Sequence, residues 1–512
     1  MTTVEKIKAK ILDLAIRGKL VPQDPNDEPA SVLLERIKAE KAKLVKAKKI
    51  KKDKNPSEIV VGADGATYEK FADGTSKDIS DELPFDLPQG WAWARLKNIA
   101  YVATGKTPSK DAFVDRGIPY IKMYNLRRQA LDFDFHPQFI TREVHNTSLS
   151  RSRLAPHDLL MNIVGPPLGK LAIVPESIQE GNFNQAAVMI RPYFEKVVIN
   201  KYLYYYLWQM DEINFLDTKG TAGQDNISLT QVQHMRIAVP PLAEQKRIIA
   251  KIKELFAYAD AIGEASDRIA KIAERVDKKI FDLAIRGQLV PQDPDDEPAR
   301  ELVKRIDATK NAKSTGKRRR AAASDRPAYE IEPPFEIPDS WEWVKLKDLG
   351  VFVGGHTPSL ADPSNWENGT VLWVTSKDMK QKYIEDTGCK VSAKGASELH
   401  LLPSGSLIMV TRSGILRRTF PVALAAKPLT INQDQRALQF YDNAIGEYVY
   451  CCIRSFESTI LRDYRKTGTT VESIIWGKFI GLPIPLPPLA EQKRIVAKVD
   501  ELKRMTRTLV AS

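Results

Sequence analysis

The sequence predicts an α+β chain in which two mixed α/β domains alternate with long coiled-coil helices, arranged as a circular repeat with a pseudo-two-fold. Three internal matches carry that prediction. The 21 residues from Lys10 to Ala30 recur as Lys279 to Ala299 with only Leu12/Phe281, Lys19/Gln288 and Asn26/Asp295 changed. "VPPLAEQKRIIAKIKEL" at Val239 recurs as "LPPLAEQKRIVAKVDEL" at Leu486, an offset of 247, and "FDLPQGWAWARLKNI" at Phe85 recurs as "FEIPDSWEWVKLKDL" at Phe335, an offset of 250. Chance does not produce such matches, so the chain is a tandem duplication. Its order is LAIRG segment, domain, PPLAEQ plus LAIRG segment, domain, PPLAEQ segment. The central stretch Val239 to Ile306 therefore appears a second time only if the C-terminus is joined to the N-terminus.

The helical elements follow from periodicity. From Ile248 the apolar or small positions fall at Ile252, Leu255, Ala259, Ile262, Ser266, Ile269, Ala273, Val276, Ile280 and Leu283, alternating steps of three and four, the spacing of a coiled-coil seam. Pro241 suits a first helical position and Gly287 a stop, predicting one helix of about 45 residues, roughly 70 Å at 1.5 Å per residue; Gly263 is the position at which it could split. Val4, Ile7, Ile11 and Leu14, and Ile495, Val499, Leu502 and Leu509, repeat the pattern at the two ends. They are the expected partner strands of the seam.

Between the helices, runs such as "LAIVPE", "AVMIRPY", "TVLWVTS" and "SLIMVTRSG", broken by Gly, Pro and Asn, predict two mixed domains each with a twisted sheet. The expected boundaries are 1–56 for the N-terminal half of a helical region, 57–82 for a linker, 83–236 for the first mixed domain, 237–313 for the central helical region, 314–331 for a second linker, 332–483 for the second mixed domain and 484–512 for the C-terminal helical half. The basic stretch Lys38 to Asn55 reads either as a solvated helix extension or as an arm that tracks a polyanion. Arg318, Arg319 and Arg320 in the second linker are placed to touch phosphate.

Composition narrows the function. Lys and Arg exceed Asp and Glu by 77 to 65, a charge of +12, which favours a polyanionic partner such as nucleic acid. Cys389, Cys451 and Cys452 make neither a disulfide framework nor a paired zinc spacing, and no apolar run reaches the 18 or so residues of a membrane span, so a reducing cytoplasmic setting is expected. "MTTVEKIKAK" carries no apolar signal core. "GKT" at Gly105 lacks the earlier glycine of a phosphate loop, and its duplicate at Gly355 lacks the lysine. "EPPF" at Glu332 begins with the wrong residue for an adenine methyltransferase motif, and its duplicate reads "LPFD". With no glycine-rich cofactor loop, no metal-ligand cluster among the six histidines, no nucleophile in a recognisable setting and no nuclease-like carboxylate and lysine set, a chain without catalysis of its own is expected.

Two divergent domains, each ending in "(I/L)xxPPLAEQKRI", with "LxxGxLVPQ" following a heptad helix, resemble the specificity subunit of Type I restriction-modification systems across essentially the whole length. The resemblance implies two target-recognition domains separated by two long antiparallel helices, each domain reading one half of a bipartite, gapped, asymmetric DNA site. It implies double-stranded DNA and two methyltransferase (modification) subunits as partners, and, where the complex restricts, two motor/endonuclease (restriction) subunits. No cofactor is expected on this chain; S-adenosylmethionine and ATP/Mg are expected on the partner subunits. The repeated phrases are then spacer and docking surface, while the domains between them differ because they read different bases.

DNA contacts are expected on polar loops, with bases met in the major groove and phosphates held by Lys and Arg. In the first domain the candidates are Lys106, Thr107 and Ser109; Lys122, Asn125, Arg127 and Arg128; Lys170; and Lys219, Thr221, Gln224 and Asn226. In the second they are His356, Thr357 and Ser359; Ser376 and Lys377; Arg412, Ser413, Arg417 and Arg418; and Lys466, Thr467, Thr469 and Thr470. "TPS" in both copies could equally be a turn or helix cap. "NQ" at Asn184 and Asn432 is also shared, and so is expected to be a structural turn or a phosphate contact, not a base reader.

Overall fold

The computed structural model describes residues 2–165, 167–209, 226–313, 332–468 and 471–511. The chain divides into two units, 1–265 and 266–512. One helix supplies residues to both.

In the first unit, helix α1 (Thr3–Ile16) opens on a Thr2 capping box with Glu5 and is followed by α2 (Ala30–Lys46). The mixed domain holds a five-stranded sheet in the order 153–154, 181–183, 118–121, 139–140, 113–114 and a four-stranded antiparallel sheet in the order 171–173, 159–162, 187–192, 100–104. Helix α3 (Lys196–Gln209) covers the latter with Tyr202, Leu203 and Tyr206 fully buried. A two-stranded ribbon, Ala92–Arg95 against Arg236–Val239, returns the chain to α4 (Leu242–Ile285). The sequence expected this helix to be about as long, and Gly263 does not split it.

The second unit repeats the plan with α5 (Ala299–Lys313), α6 (Gly446–Ser455) and α7 (Leu489–Ala511). Its sheets run 350–354, 435–440, 407–410, 422–425, 383–384 and 390–391, 371–374, 430–431, and its ribbon pairs Glu342–Lys345 with Pro483–Leu486.

Within each unit a PPLAEQ helix and a LAIRG helix lie antiparallel. In the first, Lys8 meets Asp260 at 2.6 Å while Gln23, further along the chain, meets Glu244; in the second, Thr506 bonds Asp277 while Gln292 bonds Glu491. The seam positions Ile252, Ala259, Ile280, Ile495 and Val499 are buried, whereas Ile262, Ile269, Val276 and Leu509 are exposed. The seam is therefore closed towards the ends of α4 and open across its middle.

The three repeated phrases converge on one junction in each unit. Glu244, 1% exposed, accepts from Gln23 at 2.7 Å and from the Trp91 indole at 2.9 Å. Glu491 accepts from Gln292 at 2.6 Å and from Trp341 at 2.9 Å. Burial lifts both carboxyls above their usual range, and the two donors only partly offset it. Arg247 forks onto Asp27 and Arg494 onto Asp296. Gly18 and Gly287 end their segments at φ +63° and +68°, and a Cβ on either would strike Pro88 or Pro338 at 2.4 or 2.6 Å. The Glu, Gln and Gly positions of these phrases face inward and join helix to domain.

Residues 57–82, expected as a linker, form an antiparallel meander of Ser57–Val61, Thr67–Phe71 and Ser76–Asp78. Asp64-Gly65 and Asp73-Gly74 make its turns, with glycine φ of +83° and +86°, and Asp-Gly between β-rich runs is a hairpin signal that the polar composition obscured. Buried Glu69 accepts from Ser57 at 2.6 Å and pairs with Arg95, fixing the meander to the domain. The basic stretch after Lys38 also folds back: Lys38 pairs with Glu58 and Lys41 donates to the Lys97 carbonyl at 3.0 Å. The second linker, 314–331, lies outside the described residues, with Arg318, Arg319 and Arg320.

Candidate nucleic-acid interface

In each mixed domain candidate loops gather at the end of one parallel strand pair; the second domain holds a further parallel pair, 383–384 beside 422–425, away from them in the strand order. In the first domain 118–121 runs parallel to 181–183, with Phe183 opposite Ile121; in the second, 371–374 runs parallel to 430–431, with Val374 opposite Ile431. Parallel strands send both following loops to one edge, and the loop after 100–104 or 350–354 is bonded to them there. The amide of Lys106 donates to the Phe183 carbonyl at 3.1 Å and that of His356 to Ile431 at 3.0 Å. The amide of Asn184 donates to Ile121 at 3.0 Å and that of Asn432 to Val374 at 3.2 Å. Gly105 and Gly355 permit this approach: a Cβ there would lie 2.2 or 2.0 Å from a carbonyl oxygen of the facing turn. "TPS" and "NQ" are thus two halves of one junction, with Thr107 donating to Gln185 and Thr357 to Gln433.

Lys106 and Ser109 are exposed beside Thr107. Lys122 is half-buried, its ammonium 5.5 Å from the Phe113 ring centre. Asn125, a candidate contact, is 1% exposed and spends its amide on the carbonyls of Asp132 and Phe135 at 3.1 and 2.8 Å; it holds the loop and is closed to a base. Arg127 stacks 3.8 Å from the Phe135 ring centre. Arg128 and Gln129 occupy the two-residue turn between Leu126–Arg127 and Ala130–Leu131 at φ +49° and +58°, a conformation costly without glycine. Gln129 is anchored, accepting the Leu171 amide at 2.8 Å and the Tyr204 hydroxyl at 2.7 Å, so the strain presents exposed Arg128 at the hairpin tip. Lys170 is half-buried at the end of a loop shaped by buried Asn162, which bonds the Pro167 carbonyl at 2.9 Å. Asn226 bridges Val164 through the backbone; Lys219, Thr221 and Gln224 lie outside the described residues.

In the second domain His356 and Ser359 are exposed, and Ser376 and Lys377 sit in a turn closed by the Thr375 amide donating to Asp378 at 2.8 Å. Arg412 bridges Ser473 as Val164 bridges Asn226. Ser413 accepts the Ile415 amide and so caps the turn Gly414–Arg417. Arg417, proposed from sequence to hold phosphate, donates to buried Glu472 at 3.1 Å, and Arg465 pairs with the other Glu472 oxygen. Arg417 is thus tied to the domain through Nε while its side chain stays half-exposed, and Arg412 and Arg418 are exposed beside it. Lys466 and Thr467 are exposed on the neighbouring ribbon; Thr469 and Thr470 lie outside the described residues. Sequence reasoning missed Glu472, although Asp225 stands 247 residues earlier: an acid in both copies of a basic loop was a signal for an internal partner.

The model of the Type I restriction modification DNA specificity domain matches twice, at residues 88–273 and 338–511. The chain belongs to that family. Each match takes in one mixed domain and the helix after it, the unit that the internal repeats delimit. The specificity subunit of the Type I restriction enzyme EcoAI from Escherichia coli is 28% identical, with 98% of this chain and 89% of the relative covered. That of EcoEI, also from Escherichia coli, is 26% identical over 97% and 89%. A chain solved in work on complex assembly and conformational transition of the type I R-M system superposes with a TM-score of 0.55 at 18% identity, covering 84% of this chain and 94% of that one, a likeness of fold. The specificity domains here thus serve DNA recognition in a Type I restriction-modification system. No described helix is long and apolar enough to cross a membrane. The adjacent buried thiols offer no nucleophile, since burial, helped by the Asp500 and Glu447 charges, pushes Cys451 up to about 12.

Proposed function

We propose that the two specificity domains each read one half of a bipartite, gapped, asymmetric DNA site, that the helices dock two methyltransferase subunits, and that the chain itself catalyses nothing. The observation that carries the reading is one frame with two loop sets. The same strand pair, glycine approach and Thr–Gln junction recur, yet they present Lys106, Lys122 and Arg128 in one domain and His356, Lys377, Arg412 and Arg418 in the other. A shared frame with different loop side chains suits two different half-sites on one polymer. On this reading S-adenosylmethionine belongs to the methyltransferase subunits, ATP/Mg to motor subunits where the complex restricts, and the setting is cytoplasmic. The chain with its methyltransferase subunits should select a two-part sequence from random duplexes, while the chain alone, given plasmid, magnesium and S-adenosylmethionine, leaves the plasmid uncut and unmethylated. Cleavage or methyl transfer by the chain alone, or selection of one undivided sequence, overturns the proposal.

A further inference from the structure

Around the Thr–Gln junction the neighbours change while the junction does not. The residue before the threonine is Lys106 in one domain and His356 in the other. Its carbonyl accepts from the Tyr120 hydroxyl at 3.1 Å in the first and from the Trp373 indole at 3.3 Å in the second. Its amide is answered by Phe183 or by Ile431. Different side chains thus build the same brace, and the braced pair is invariant: Thr107 with Gln185, Thr357 with Gln433, both glutamines exposed. A turn that needed only closing would not require an exposed carboxamide held by a hydroxyl.

The hydroxyl spends its one proton on the glutamine oxygen, which fixes the amide plane and leaves the second lone pair of Oε1 beside the two protons of Nε2. A phosphate offers acceptors alone and would leave that oxygen unanswered. An adenine edge in the major groove offers an N7 acceptor beside an N6 donor, the complement of a planar carboxamide. We propose that Gln185 and Gln433 each read the N6/N7 edge of an adenine at the equivalent position of the two half-sites, so that the halves share one base pair while the surrounding loops read what differs. This departs from the expectation that shared residues do not read bases, because a base common to both halves calls for a common reader. The proposal rests on the two-half reading of the chain.

The test uses the chain bound to its methyltransferase subunits and a duplex it has selected from a random pool, with each adenine replaced in turn by 7-deazaadenine. The parent should bind about 5- to 100-fold more weakly when one particular adenine in each half loses N7. In Gln185→Ala that penalty should vanish in one half and persist in the other, with Gln433→Ala giving the converse. Thr107→Val, which keeps the volume and removes the brace, should reduce the penalty in the Gln185 half alone. A parent indifferent to 7-deazaadenine at every position overturns the proposal, as does a Gln185→Ala that weakens all duplexes equally, the behaviour of a phosphate contact. Either result with a two-part target still selected sinks the shared reader and leaves the two-half reading standing; a target with no division sinks both.

Discussion

Replacing Glu244 by Ala should cost the first unit about 2 to 4 kcal/mol, and Glu491→Ala should cost the second nearly the same. The carboxylate of Glu244 receives two hydrogen bonds, from Gln23 at 2.7 Å and Trp91 at 2.9 Å. Bonds to a charged acceptor contribute about 1.5 to 3 kcal/mol each, a gross of roughly 3 to 6. Against this stands the desolvation of a carboxylate that is 1% exposed, visible in its raised pKa, which the truncation relieves in part. What remains is dominated by the buried Trp91 donor left without an acceptor, since Gln23 still donates to the Gly18 carbonyl at 3.1 Å. The distances repeat at Glu491, 2.6 and 2.9 Å, so the two losses should agree within about 1 kcal/mol. Urea unfolding followed by tryptophan fluorescence measures both, since Trp91 and Trp341 are themselves the donors. Glu254→Ala is the control: its exposed pair with Lys251 on the same helix should cost less than about 0.5 kcal/mol. A Glu244→Ala loss no larger than the control's, or losses at the two sites that differ by more than about 2 kcal/mol, would refute the view that the repeated phrases encode one junction built twice.

The junction also has a pH signature. Because the folded Glu244 carboxyl titrates above its ordinary value of 4.5, its burial favours folding fully below that value and less as pH climbs through the raised one. The stability of the parent relative to Glu244→Gln should therefore fall as pH rises above 4.5, and a flat or rising difference in thermal melts contradicts this. At the interface, Arg128→Ala and Arg418→Ala should each flatten the salt dependence of DNA binding by up to about one unit of slope. Arg417→Ala should act through stability, lowering the melting temperature by releasing one partner of buried Glu472; an unchanged melt with a flattened slope would reverse that assignment. Gly105→Ala drives a Cβ into the carbonyls of Phe183 and Asn184 and should abolish preference in one half-site by more than tenfold, about 1.4 kcal/mol, while the other half is read normally in a selection from random duplexes.

The architecture was legible because duplication writes it twice: three offsets revealed two similar domains between helices, and Pro241 and Gly287 bracket α4 almost to the residue. Periodicity could not show where the seam stops being covered, since Ile262 and Ile269 satisfy the same spacing as buried Ile252. The meander at 57–78 was hidden because it has no described counterpart in the other copy and its strands are short and charged. At the candidate interface, loop positions were legible from their polarity, but polarity does not separate a side chain that faces outward from one that holds the loop. Asn125 and Ser413 belong to the second kind, and only their partners, the carbonyls of Asp132 and Phe135 and the Ile415 amide, distinguish them from Arg128 or Arg418. Likewise Glu and Gln in "PPLAEQ" look like a charged helix surface until the Trp91 indole and the Pro240 carbonyl are found bonded to them.

Residues 83–236 can be exchanged for the matching domain of a relative with a different target, and the sequences methylated by the reassembled complex read across a whole genome. If each specificity domain reads its own half of the DNA site on a frame common to both, one half of the recognised sequence changes to the donor's and the other half stays as it was. A target whose two halves change together, or not at all, would contradict the account.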